Sequence, residues 1–539
     1  MCKLFQPLRR QYVYFIFEKN GFLYASITTS KRNGAVVTKE YVNLGRVLDK
    51  ERGIYKNRQR GVFTYDINTD TYGSAPADFI SPPRTRRGRY YTIGRKKKSF
   101  LSMQFGDVFF FDQFYRKTGI AKAVEAIDYG NSDTLLALLC YYVTSSEANS
   151  HAEDWYELSY ARKLWPDANM ASQRISEALC GIGLEENKRR FFSEYYKFVR
   201  KCQMADTKED YGMAGRGESG DGILIDSSGL PNESHLPATG INNHNGIISL
   251  EVRVIYVVQQ STGLPLFFRY VPGNVIDAST IVRTVHELKQ MHINTKFALL
   301  DAGYYTKENA DALLDAGISF VTRVHSNHKI FMQAMNDQRD TLESEGNLVL
   351  YNGRIIYITE TSVMIGRKEE HTAYGYLCLD TAMQNEGRKQ LTSKASDENM
   401  QPEEIYRALR NKGMFMLVST RKIAKEKILN LYYTRNQIEE VFKIGKKDGK
   451  MLPLGVESEE ALCGHLLMTF VSATILKILS DRLIGSGFSV SDIFSILRHQ
   501  TAIVHEEELI TSEPVKKMNQ IYKWFKIKCP ISIPQFTTD

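Results

Sequence analysis

"KFALLDAGYYTKENADALLDAGISFVTRV", residues 296–324, reads as one alternation of strand, helix and strand. The first apolar run stops at Asp301, Thr306 stands where a helix N-cap belongs, "TKENADALLDAG" carries helical periodicity, and "ISFVTRV" is aromatic and β-branched. Upstream, "GILIDSSGL" (222–230) reads as a strand ending at Asp226. "IISLEVRVIYVVQQSTGLPLFFRYV" (247–271) reads as two longer strands joined by a turn at 261–264, and "DASTIVRTVHELKQM" (277–291) as a helix.

The resulting order is β-β-β-α-β-α-β, and a helix over 432–447 comes next. That is the order of an α/β, ribonuclease-H-like core, provided that a segment is inserted between Val324 and the last helix. Residues 325–413 supply one. They include "NLVLYNGRIIYITE" with an Asn-Gly turn, then "TAYGYLCLD", then a highly charged stretch, so a β-rich insertion of about ninety residues is expected before "MFMLVST" returns to the core.

The last helix, "YYTRNQIEEVFKIGKK" (432–447), has no Pro and has apolar residues at Ile438, Val441, Phe442 and Ile444. At about 100° per residue, Tyr432, Arg435, Glu439 and Lys446 share a stripe about 60° wide, and Glu440 lies a quarter turn away. A hydroxyl and two cations on that stripe suit a phosphate, and the carboxylate suits a metal ion. The alternative is a solvated helix with a Glu439–Lys443 ion pair. Glu440 is expected to be a structural or solvent-facing acid.

The chain of 539 residues is too long for one core. Its seven cysteines form no C-x-x-C pair, which argues against a zinc site and a disulfide framework and for a reducing compartment. "MCKLFQPLRRQYVYF" lacks the apolar run of a signal peptide, and the apolar stretch 462–479 contains His465, Ser472, Thr474 and Lys477, so a buried core helix is expected there rather than a membrane span. A soluble cytoplasmic protein follows.

The net charge of +8 is unevenly spread. Residues 1–100 hold 21 Lys and Arg against 7 Asp and Glu, whereas the other 439 residues hold 49 against 55. The densest part is "RTRRGRYYTIGRKKK" (84–98), where Arg84, Arg86, Arg87, Arg89, Arg95, Lys96, Lys97 and Lys98 stand without an acid. Such a run suits a DNA backbone, since each neutralised phosphate releases counterions. A solubilising linker is the alternative. The expected organisation is a basic β-rich module over 1–80, a basic linker over 81–104, a helical region over 105–210, the two parts of the core over 211–324 and 414–482 around the insertion, and a C-terminal region over 483–539. Within the helical region, "MASQRISEALCGIGLEE" fits a helix-turn-helix presenting Gln173, Arg174 and Glu177 to DNA, and equally two packed helices of a bundle.

Asp226 and Asp301 each end an apolar run, and carboxylates at the ends of adjacent strands converge. With Glu439 facing them, three acids surround one point, which is costly unless divalent cations neutralise them. All-oxygen ligation favours Mg²⁺, with Mn²⁺ as a substitute. Two such ions about 3.5 to 4 Å apart serve phosphodiester chemistry. Asp277, Asp311 and Asp315 read as capping or surface acids, and Asn242 and Asn243 as turn residues.

These residues resemble those of the DDE transposases of bacterial insertion sequences, in particular the IS-four group. Its signature Y-x2-R-x3-E-x6-K is met by Tyr432, Arg435, Glu439 and Lys446. "ILIDSSGLPN" and "ALLDAGYYTKENADALLDAGISFVTRV" resemble the blocks around its first and second aspartates. The resemblance implies Asp226, Asp301 and Glu439 as catalytic metal ligands, Tyr432, Arg435 and Lys446 as phosphate contacts, and two Mg²⁺ ions. It further implies a homodimer on double-stranded DNA that cuts at paired inverted repeats and joins the freed 3′ ends to target DNA. A base-stacking aromatic in the insertion is also implied, with Tyr351, Tyr357, Tyr374 and Tyr376 as candidates. The rival readings are a DNA-binding protein derived from a transposase and a ribonuclease-H-like nuclease.

Overall fold

Alternating aromatic and small residues near the N-terminus build β1 (Tyr12–Lys19), β2 (Phe22–Asn33), β3 (Val36–Asp49), β4 (Ile54–Asn57), β5 (Gly61–Asp66) and β6 (Thr71–Ser74). They form an antiparallel meander in chain order. One face closes on Ala25, Ile27, Leu44, Tyr55, Phe63 and Tyr65. The pairing of β2 with β3 shifts by one residue at Gly45, whose φ of +90° and approach to the Lys56 carbonyl, 2.3 Å from where a Cβ would stand, both require glycine. The structure, a computed structural model, describes residues 12–19, 22–33, 36–57, 60–66, 69–76, 79, 102–204, 222–232, 236–244, 247–397, 401–505 and 508–534. The chain divides into two units, Met1–Ser99 and Phe100–Asp539. The basic run 84–98 lies outside the described residues.

The second unit opens with a short strand, β7 (Ser102–Gln104), where the sequence suggests linker. The helical region follows: α1 (Gly106–Thr118), α2 (Ala121–Glu125), α3 (Ser132–Thr144), α4 (Ala152–Leu158), α5 (Ala161–Leu164), α6 (Ser172–Ile182) and α7 (Glu185–Met204). The sheet that follows is mixed. Its strands are β8 (Gly222–Pro231), β9 (Gly240–His244), β10 (Ile247–Gln259), β11 (Pro265–Pro272), β12 (Phe297–Leu300), β13 (Ser319–Val324), β14 (Leu348–Tyr351), β15 (Arg354–Ile365), β16 (His371–Asp380) and β17 (Met414–Ser419). They stand in the order β11-β10-β8-β12-β13-β17-β16-β15-β14, with β9 on β10. β8, β10 and β11 are antiparallel neighbours, whereas β12 is parallel to β8 and β13 parallel to β12. The parallel steps run through α8 (Ile281–Gln290) and α9 (Lys307–Asp315), and the Thr306 side chain caps α9 by accepting from the Asn309 N–H.

The insertion's strands β14, β15 and β16 continue the main sheet through β17, with the Asn352-Gly353 turn joining the first two. Three helices accompany them: α10 (Lys329–Gln338), α11 (Thr381–Asp397) and α12 (Pro402–Asn411), the last two from the charged stretch. The chain then returns through α13 (Lys425–Tyr432) and α14 (Asn436–Lys447), separated by a single 3₁₀ turn at Tyr433–Arg435. The expected continuous helix over 432–447 is therefore broken at its start.

Next comes α15 (Glu459–Arg482), the axis of the second unit. It is long and apolar enough to cross a bilayer, yet its apolar window is wholly buried inside the protein. Phe470 touches Tyr256 and Phe268 of the sheet on one side and Phe191, Phe192 and Tyr195 of α7 on the other. α6 crosses α15 at two glycines: a Cβ on Gly183 would stand 1.9 Å from the Glu460 carbonyl, and one on Gly464 1.9 Å from that of Leu179. The α6–α7 pair is thus held in a bundle, with Gln173, Arg174 and Glu177 on its exposed side. The chain ends with α16 (Val490–Arg498), β18 (Thr501–Val504), β19 (Glu508–Thr511), α17 (Lys516–Trp524) and β20 (Ser532–Pro534), and β7 joins these strands in a four-stranded sheet.

Candidate active site

Parallel pairing sets Leu300 of β12 level with Ile225 of β8, so the next residue of each strand, Asp301 and Asp226, emerges at the same height. β12 stops there. β8 does not: Asp226 lies in mid-strand, because Ser227 to Pro231 go on pairing with β10. This corrects the expected strand end, and the reason is that β8 has two neighbours of unequal length. On the far side of Asp226 stands Tyr256 of β10, whose ring stacks on Phe442 of α14 at 4.9 Å. That stack, with buried Ile438, Val441 and Gly445, seats α14 against the sheet.

Arg435, at the start of α14, joins the three expected acids. Its Nη1 donates to Asp226 Oδ2 at 2.9 Å, its Nη2 donates to Glu439 Oε1 at 2.8 Å, and the same Nη2 lies 3.8 Å from Asp301 Oδ1. Glu439 therefore pairs backward with Arg435, not forward with Lys443. The carboxylates are graded in exposure, from 17% for Asp226 through 43% for Asp301 to 57% for Glu439, around a guanidinium that is 16% exposed. Burial pushes the Asp226 carboxyl up to about 6 although Arg435 and the Ser227 N–H pull the other way. For Arg435, burial opposes the charge, but Asp301 and Asp226 outweigh it and hold the guanidinium above its usual range.

The rest of the expected stripe is spread out. Lys446 donates to the Gly229 carbonyl, three residues beyond Asp226 on β8, at 3.1 Å, and burial lowers its ammonium. Tyr432 is buried, its ring edge-on to Tyr433, which stacks on Tyr351 of the insertion. Of the aromatic candidates there, Tyr351 and Tyr376 are buried, and Tyr376 donates to the Ile423 carbonyl, while Tyr357 and Tyr374 stay partly exposed. Glu440 faces away from this cluster, with Oε2 3.3 Å from Nζ of Lys477 on α15.

Behind Asp226 lies a cluster that the sequence reading missed. Ser227 Oγ donates to Asp277 Oδ1 at 2.5 Å, and Arg253 Nη1 donates to the same oxygen at 2.9 Å. Asp277 also adjoins Gly303, in the turn after Asp301. Its carboxylate is committed to Ser227 of β8 and Arg253 of β10 rather than to capping a helix at the surface. The legible signal was Arg253, a cation in the long central strand β10. Asn242, expected in a turn, sits in β9 and donates to Glu251.

Three carboxylates offer hard oxygen donors of the kind Mg²⁺ and Mn²⁺ take. Among the described residues, however, no three acidic, histidine or cysteine side chains stand close enough together to hold an ion as they are. The donor set fits in kind, and the guanidinium stands between its members.

Residues 217–475 match the family model of the transposase DDE domain, a span that contains Asp226, Asp301, Tyr432, Arg435, Glu439 and Lys446. No curated protein matches the chain. Among solved structures, a cryo-EM structure of the piggyBac transposase synaptic complex with hairpin DNA is similar over 73% of this chain and 79% of that one, at 12% identity and a TM-score of 0.35.

Proposed function

We propose that the protein is a DNA transposase of the IS-four type, which cuts phosphodiester bonds at the inverted-repeat ends of its element and joins the freed 3′ ends to target DNA. The observation that carries this reading is the convergence of Asp226, Asp301 and Glu439, from two parallel strands and a distant helix, on one guanidinium. The match of 217–475 to the transposase DDE domain supports it. The strand order, with three antiparallel strands followed by two parallel ones, supports a ribonuclease-H-like core.

In this reading Asp226, Asp301 and Glu439 hold divalent metal ions. Two-metal chemistry supplies activation of a water or 3′-hydroxyl and stabilisation of the departing oxygen. The chain's own part is positional. The β8–β12 register fixes the two aspartates, the Tyr256–Phe442 stack fixes the helix carrying Glu439, Arg435 and Lys446 line the approach of the scissile phosphate, and buried Tyr432 would reach it only on rearrangement. The basic N-terminal unit and the run 84–98 bind the DNA ends, and a homodimer pairs them.

The test uses a supercoiled plasmid carrying the gene with its flanking DNA, incubated with purified protein and Mg²⁺. Wild type is expected to cut at the element boundaries. Asp226→Asn and Asp301→Asn are expected to retain DNA while cleavage falls at least about a hundredfold. Cutting at the wild-type rate by either variant would overturn the assignment of that aspartate.

A further inference from the structure

The arrangement around Arg435 has a consequence for the order in which the site is assembled. One guanidinium contacts three carboxylates, so the cluster carries two more negative charges than positive ones. Its planar fork is also the group best shaped to grip a phosphate. It cannot serve both sets of partners in full. Turned toward a DNA phosphate, it would leave Asp226, Asp301 and Glu439 without their cation just as a further negative charge arrives. Mutual repulsion of the acids then favours uptake of divalent ions.

We infer that Arg435 is a counter-ion that closes the carboxylate cluster in the free protein, and that a DNA phosphate drawing it away opens the cluster to divalent metal, so that metal loading depends on DNA. The inference rests on the proposed function. Local structure suits the motion. Arg435 ends the 3₁₀ turn between α13 and α14, so its backbone is fixed from both sides while its side chain reaches from a helix start to Asp226 within β8 and Asp301 just after β12. Because binding free energies are reciprocal, metal must then tighten DNA binding by the same factor that DNA tightens metal binding.

The test measures Mn²⁺ binding by electron paramagnetic resonance on the full chain, with Asp301→Asn as the background to subtract. Wild type is titrated alone and with a duplex oligonucleotide taken from the flanking DNA, and Arg435→Gln is titrated in the same two states. The expected result is an Asp301-dependent affinity that rises about tenfold or more when duplex is added to wild type. Arg435→Gln is expected to show most of that gain without DNA and little further change with it. Should Arg435→Gln fail a circular-dichroism check of folding, Arg435→Lys takes its place. A point-charge ammonium replaces the planar fork less completely, so its DNA-free affinity is expected above that of wild type. Equal Asp301-dependent affinity in wild type with and without duplex would overturn the gate and leave the metal site standing. Loss of all Asp301-dependent binding, DNA present or not, would overturn the metal site and the gate together.

Discussion

Consecutive residues of α14 enter two clusters that differ in kind. Glu439 joins Asp226, Asp301 and Arg435, an assembly of three carboxylates and one cation in which two of the acids are well exposed. Glu440 joins Asp481 around Lys477, two carboxylates and one cation, with the ammonium side chain only 2% exposed and Asp481 only 9%. The larger excess of negative charge lies where water screens it, and under the proposed function divalent ions would neutralise it. In the second cluster the excess is a single negative charge, Lys477 and Asp481 are buried while Glu440 is 41% exposed, and Lys477 ties α14 to α15. A turn of about 100° along the helix separates the two clusters.

The largest stability effect is expected in the cluster around buried Lys477. Lys477→Met removes the buried cation between Asp481 and Glu440, at a cost of about 3 kcal/mol in urea unfolding, most of which Asp481→Leu in the same chain should restore. A loss below about 1 kcal/mol would break the contrast, by showing that Lys477 is no better committed than a surface cation.

Lys450 sharpens the comparison from another direction. Its Nζ donates to the Glu147 carbonyl and lies over the Tyr141 ring, and burial pushes the ammonium down to about 6. Between that value and the unfolded value of about 10.4, the unfolded chain binds a proton that the native chain does not. The handicap of wild type relative to Lys450→Met is therefore expected to be greatest below about pH 6 and to shrink as pH rises toward 10, by several degrees in melting temperature. A difference independent of pH would mean that this cation keeps its charge when buried. The smallest effect is expected for Glu440→Gln, about 1 kcal/mol of stability, since Asp481 still serves Lys477.

Much of this could be read beforehand, and the exceptions share a cause. Asp301, the Thr306 cap, the turn at 261–264 and the Asn352-Gly353 hairpin are local features, carried by short apolar runs and turn residues. Asp226 in mid-strand was hidden because whether a strand stops depends on its neighbours, and β10 is longer than β12. The insertion reads as β-rich, but nothing local says that β16 pairs with β17. The stripe reading set Glu439 and Glu440 on different faces of α14, as they stand, while the 3₁₀ turn at Tyr433–Arg435 and the burial of Tyr432 depend on packing against the insertion. Glu440 was separable by angle alone, whereas its partner Lys477 lies on another helix. Arg435 is the sharpest case: its spacing suggests phosphate, and only the assembled site shows it among the acids.

The most direct test of the central claim sets Glu439→Gln beside Glu440→Gln. Both proteins, checked for folding by circular dichroism, are assayed for cleavage of the same supercoiled donor plasmid across a Mg²⁺ titration. The account predicts a loss of at least about a hundredfold for Glu439→Gln that added Mg²⁺ does not recover, and a loss within about threefold for Glu440→Gln. Equal losses, or a larger loss at Glu440, would contradict it.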